Sequence, residues 1–96
     1  ELTFEPPDLE KFRALKIAFE VARVGGTAPA VFNAANEEAV GAFLKSAVKF
    51  TDITDIIENA VDKIDIVSKP SLDDILQADK RAREMANDMI GRLQLC

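Results

Sequence analysis

The residues with the most chemical potential lie in one short run, Phe32 to Val40, "FNAANEEAV", where Asn33, Asn36 and Glu37 interrupt a stretch rich in alanine. Two amides and a carboxylate can donate and accept hydrogen bonds, and a carboxylate can take up a proton or hold a cation. A reaction centre needs more than this: a base beside a nucleophile, or a converging set of metal ligands. Histidine is absent from the chain, which removes the commonest general base near pH 7 and the commonest transition-metal ligand. The single cysteine, Cys96, is the last residue, so no internal disulfide forms and a reducing compartment such as the cytoplasm is expected. Catalytic, cofactor-binding and metal-ligating residues are therefore all read as none.

Other polar constellations have plainer explanations. The acidic pairs Asp52/Asp55, Asp62/Asp65 and Asp73/Asp74 lack the alternating oxygen ligands of a calcium loop and fall near expected helix ends, where carboxylates cap and are solvated. Asp79 with Arg83 and Asp88 with Arg92 have the i,i+4 spacing of helix-surface ion pairs. Asp79 lies in an otherwise apolar stripe, so it either pairs with Arg83 or fixes a loop inside the fold. The run "PSLDDI" is similar to the Asp-Ser-Leu site at which acyl carriers take a phosphopantetheine arm, but Pro70 stands in place of the Asp and Ser71 is explained as a helix cap.

These residues need elements to position them. With 96 residues, 48% of them hydrophobic and 30% charged, the chain suits one soluble domain with one core. The formal charge of −5 and the absence of a Lys/Arg cluster argue against nucleic acid. No apolar run approaches the roughly 20 residues of a membrane span, and no leader pattern is visible, so no membrane partner is expected. A start at Glu1 without Met suits a fragment or a processed product.

Four amphipathic helices are predicted. Pro6-Pro7 is read as excluding helix and holding residues 1–7 as an extended linker arm, with residues 8–96 as the bundle. Asp8 is expected to cap a first helix that buries Phe12, Leu15, Phe19 and Ala22 and stops at Gly25-Gly26. Thr27 is the expected cap of a second helix to about Lys45, with Pro29 in its first turn. Thr51 is expected to cap a third, striped by Ile53, Ile56, Ile57, Ala60, Val61 and Ile64. Ser71 starts a fourth, with Asp73 and Asp74 in its first turn and Ile75, Ala82, Ala86, Met89 and Leu93 on its buried side. The fold class is all-α, a small four-helix bundle preceded by an extended Pro-Pro arm.

At about 100° per residue, Asn33, Asn36 and Glu37 share one side of the second helix, continued by Val40 and Leu44. Phe32, Ala35, Ala39 and Phe43 form the adjoining apolar side, which leaves Ala34, Glu38, Gly41 and Lys45 for solvent. The polar trio is thus expected to face packed material, where each unpaired group costs about 1 to 3 kcal/mol. Its partners are either helix ends and loops of the same bundle or a second domain.

The segments "LTFEPPDLEKF", "GGTAPAVFNAANEEAVGAFL", "KFTDITDII" and "SLDDILQADKRAREMA", in this order and spacing, resemble the C-terminal region of the 1-deoxy-D-xylulose 5-phosphate reductoisomerase family across essentially the whole chain. The resemblance implies a parent enzyme of the non-mevalonate isoprenoid pathway that uses NADPH and a divalent metal, Mg or Mn. It implies an NADPH-binding domain, a catalytic domain, then an arm and this helical bundle, in a homodimer of the bacterial cytoplasm or a plastid-type organelle. No position here matches the family's phosphate- or metal-binding motifs, so no such residue is carried over. On this reading the fragment alone is not catalytic, its partner is the catalytic domain of the same chain, and Asn33, Asn36 and Glu37 are interdomain contacts. The pattern departs at Arg13, where the family usually has proline; Arg13 lets the first helix begin at Asp8. A free-standing acidic bundle that binds a partner through an apolar or Asn/Glu face is the alternative.

Overall fold

The computed structural model of the chain describes residues 6–95. Four helices follow one another: α1 (Pro6–Val24), α2 (Ala28–Leu44), α3 (Phe50–Lys63) and α4 (Leu72–Leu95). The all-α bundle expected from the periodicity is the fold observed, and no strand occurs among the described residues.

The starts of these helices show where capping logic succeeds and where it is displaced. Residues 1–5 of the expected arm lie outside the described residues. Pro6 and Pro7, read as excluding helix, are instead the first two residues of α1. The first four N–H groups of a helix have no partner within it, so two residues without that group fit there at little cost. Asp8 is consequently inside α1 rather than its cap. Ser71 caps α4 as expected: its Oγ accepts from the N–H of Asp74 at 3.1 Å while the Asp74 carboxylate accepts from the Ser71 N–H at 3.0 Å. At α3 the cap position falls to Lys49, whose N–H donates to the Asp52 carboxylate at 2.8 Å, so Thr51 lies within the first turn.

α2 ends in a Schellman arrangement built on serine. Ser46 takes the left-handed φ of 61°, its N–H bonds the Phe43 carbonyl at 2.9 Å, and the Ala47 N–H reaches the Ala42 carbonyl at 2.9 Å. Just beyond it, Phe43 and Phe50 meet edge to face with ring centroids 5.8 Å apart, closing the turn into α3.

The core sits between α2, α3 and α4. α2 contributes Val31, Ala34, Ala35 and Ala39, α3 contributes Ile56, Ile57 and Ala60, and α4 contributes Ala78, Ala82, Ala86 and Ile90, all buried. Ile75, expected inside, is 37% exposed in the first turn of α4, whereas further along the same side Ala82 and Ala86 are buried and Met89 and Leu93 pack against the core. α1 packs on α2 and α3 alone. Its expected stripe of Phe12, Leu15, Phe19 and Ala22 is exposed, whereas Val21 is buried and Ile17 packs against the core. Arg13 continues α1 without a break and holds it to α3 through Asp55 at 2.9 Å and Glu58.

Two connections are fastened to each other. Gly25 and Gly26 both take left-handed φ, 69° and 59°, and end α1 as expected. Thr27 holds the N-cap position of α2 but its side chain caps nothing there. Instead its N–H donates to the Val67 carbonyl and its Oγ1 accepts from the Val67 N–H, both at 3.0 Å, with Thr27 fully buried. A Cβ on Gly26 would overlap the Val67 carbonyl oxygen, well within van der Waals contact distance, and lie only 3.0 Å from the Ser68 Cα; at Gly25 it would meet nothing.

Gly26→Ala combines backbone strain with this collision and is expected to destabilise the protein by about 2 kcal/mol or more, against about 1 kcal/mol for Gly25→Ala, where strain acts alone. Urea unfolding midpoints of the two variants check the difference; equal losses would mean the clasp can give way.

Candidate functional site

Small side chains on the facing sides of α2 and α4 bring the two helices close, and their rims then carry polar groups within reach of each other. Arg83, one turn beyond Asp79 on α4, sits at the centre. Its Nε donates to Asp79 Oδ1 at 2.7 Å, Nη1 to Glu38 Oε2 at 2.9 Å and Nη2 to Glu37 Oε1 at 2.9 Å. Asn87 Nδ2 donates to the other oxygen of Glu38 at 3.0 Å, and Asn33 Nδ2 donates to Glu37 Oε2 at 3.3 Å. Both oxygens of each Glu are thereby engaged. Three carboxylates around one guanidinium leave the cluster net negative and hold the Arg83 pKa above its usual value, through Asp79 first and then Glu37 and Glu38. Arg83 stays charged at any pH the fold meets.

The sequence-predicted trio is only partly brought together. Asn33 and Glu37 are bonded to each other and exposed, on the side of α2 turned away from the core, with Leu44 exposed beyond them. Asn36 is half-buried and makes no side-chain hydrogen bond among the described residues. Ala34, assigned to solvent from the helical wheel, is fully buried, and Glu38, assigned to solvent with it, is half-buried in the Arg83 cluster. Alanine fits either environment, so an alanine-rich helix leaves its own rotation poorly defined. The signal that settles it lies on α4, where Ala78, Ala82 and Ala86 recur every four residues and demand an equally small facing surface. The Asp79–Arg83 pair occurs as the spacing indicates, and Asp79 fixes no loop. The reach of Arg83 to α2 was not legible from i,i+4 spacing.

A second polar cluster edges the groove between α1 and α3. Arg13 bonds Glu58 and Asp55 and lies 3.8 Å from Glu10, and its pKa is raised, chiefly by Glu58. The groove encloses about 540 Å³ over an apolar floor that includes Ile17, Val21, Val61 and Ile66. In both clusters carboxylates pair with a guanidinium, and beside Arg13 the Glu10 Oε1 is buried with no hydrogen-bond partner among the described residues.

In the one glycine pair, Gly25-Gly26, the second glycine is covered by Val67 and Ser68 while the space beside the first is open. Among the described residues no three of His, Cys, Asp and Glu are grouped as metal ligands would be. No helix among them is long and apolar enough to cross a membrane.

Comparison with known proteins places this geometry. A family model described as the DXP reductoisomerase C-terminal domain matches residues 1–85. The chain is 48% identical over 89 residues to the 1-deoxy-D-xylulose 5-phosphate reductoisomerase of Acetivibrio thermocellus, covering 93% of this chain and 23% of that protein. It is 49% identical over 90 residues to the enzyme of that name from Chlorobium limicola, covering 94% and 24%. It is 51% identical over 89 residues to reductoisomerase 1 of Bacillus cereus, covering 93% and 23%. The chain thus spans about a quarter of the length of the curated relatives it matches.

Arg83→Gln removes a guanidinium that ties α4 to α2, and is expected to lower stability by about 1 kcal/mol in dilute buffer, with the loss shrinking in 1 M salt. Arg23→Gln, which breaks a pair with Glu20 within one helix, should leave the unfolding midpoint unchanged. Urea titrations at both salt concentrations check this, and a salt-independent loss would assign the Arg83 effect to packing of its stem.

Proposed function

The chain belongs to the DXP reductoisomerase C-terminal domain family, and we propose that the polypeptide carrying it converts 1-deoxy-D-xylulose 5-phosphate to 2-C-methyl-D-erythritol 4-phosphate. The observation that carries this reading is the match of nearly the whole chain, at about half identity, to about a quarter of the length of several reductoisomerases. In that polypeptide NADPH supplies the hydride and a divalent Mg or Mn ion the Lewis acidity, and both are assigned to the preceding domains. The bundle is a structural domain that buttresses the catalytic domain. The parent is a homodimer of a soluble compartment, the bacterial cytoplasm or a plastid-type organelle.

The contact proposed for this role is the outward side of α2. Asn33, Asn36 and Glu37 form a polar seam toward the catalytic domain near the substrate. Three features support it: the side faces away from the core, Leu44 extends it with exposed apolar surface, and the Asn36 side-chain amide makes no hydrogen bond among the described residues. Asn33 and Arg83 hold the Glu37 carboxylate by both oxygens, a preorganised acceptor for a donor on the facing domain. Residues 1–7 deliver the chain from that domain as a connecting segment whose last two residues begin α1.

In the full-length enzyme, Glu37→Ala is expected to raise KM severalfold and lower the melting temperature. Glu38→Ala, which also strips a carboxylate from Arg83, should lower the melting temperature without moving KM. Steady-state kinetics and thermal melts of both variants decide the matter. Unchanged turnover and unchanged stability in Glu37→Ala would remove the seam, while a native polypeptide of only about 10.5 kDa would favour a free-standing interaction module instead.

A further inference from the structure

α1 has two apolar sides, and the bundle covers one of them. At about 100° per residue, Ile17 and Val21 share the inner side, while Phe12, Leu15 and Phe19 fall within about 60° of one another on roughly the opposite side. The inner pair packs on α2 and α3. On the outer side Leu15 is 54% exposed, Phe12 60% and Phe19 68%. A helix apolar on opposite sides is one that lies between two packed layers, and a single solvated surface does not call for two phenylalanines and a leucine in line.

We propose that the outer side of α1 is a docking face for the remainder of the reductoisomerase polypeptide, separate from the α2 seam and apolar where that seam is polar. The proposal rests on the functional reading above and adds a second surface to it. The occupant follows from length, area and charge. The matched relatives carry about three-quarters of their length outside the region this chain spans. The exposed parts of Phe12, Leu15 and Phe19 with neighbouring Leu9 amount to on the order of 400 Å². That is about half of what one partner contributes to a standard interface between free proteins, and enough for a domain tethered by its own chain. Lys11 borders the face on one side and Lys16 on the other, while Arg23 is paired with Glu20, so a second copy docked face to face would set lysines against each other. The surface that fits is an apolar patch edged by carboxylates on the preceding domain.

The test is thiol accessibility in the full-length enzyme. Phe19→Cys and Leu15→Cys are made separately and alkylated with iodoacetamide, and each site is followed by peptide mass spectrometry in buffer and in urea. Two variants are used so that one remains if the other fails to fold, and NADPH oxidation confirms the fold of each. The expected result is alkylation at least a hundredfold slower in the native enzyme than in the unfolded chain. A native rate within tenfold of the unfolded one overturns the docking face while leaving the family function intact. Protection that disappears on dilution to nanomolar enzyme assigns the face to a second copy and overturns the proposal. A native polypeptide of about 10.5 kDa overturns the functional reading and the proposal together.

Discussion

The close approach of α2 and α4 is the constraint on which the rest of the molecule depends. Ala34, Ala35 and Ala39 on one helix and Ala78, Ala82 and Ala86 on the other are buried at the contact, so the two backbones lie nearer than larger side chains would permit. A core this thin in side-chain volume gains its stability from fit and from the isoleucines that α3 adds, Ile56 and Ile57. The same closeness lets Arg83 span the rim to Glu37 and Glu38. A longer gap would leave Glu37 and Glu38 beyond the reach of Arg83.

The clasp between the α1–α2 turn and the α3–α4 connection complements this seam at the end of the bundle. The Thr27 N–H donates to the Val67 carbonyl and its hydroxyl oxygen accepts from the Val67 N–H, and Gly26 makes room for that carbonyl by having no Cβ. Loops that would otherwise solvate their polar backbone satisfy it on each other. The clasp also sets where α1 leaves the core, and so which of its two apolar sides turns inward.

α1 is the element whose behaviour separates a domain from a protein. Arg13 and a short apolar contact around Val21 attach it, while its aromatic side faces outward. The polar outward side of α2 and the apolar outer side of α1 are surfaces of different character.

Much was legible in the amino-acid order. Helix number, the stop at Gly25-Gly26, the Ser71 cap and the Asp79–Arg83 pair follow from local rules, because backbone conformation, capping and i,i+4 contacts involve residues a few positions apart. Family membership was carried by motifs in fixed order, which are also linear. What only the tertiary structure decided was rotation and partnership. Alanine tolerates core and solvent alike, so α2 could be turned with Ala34 out or in, and the ladder on α4 turned it in. α1 has two apolar sides, and periodicity ranks them by size, favouring Phe12, Leu15 and Phe19 over Ile17 and Val21. The structure buries the smaller pair, since the inward side is set by where the Thr27–Val67 clasp and the Arg13 bridges hold the helix. Those contacts join residues about 40 positions apart, and no local rule reaches across that distance.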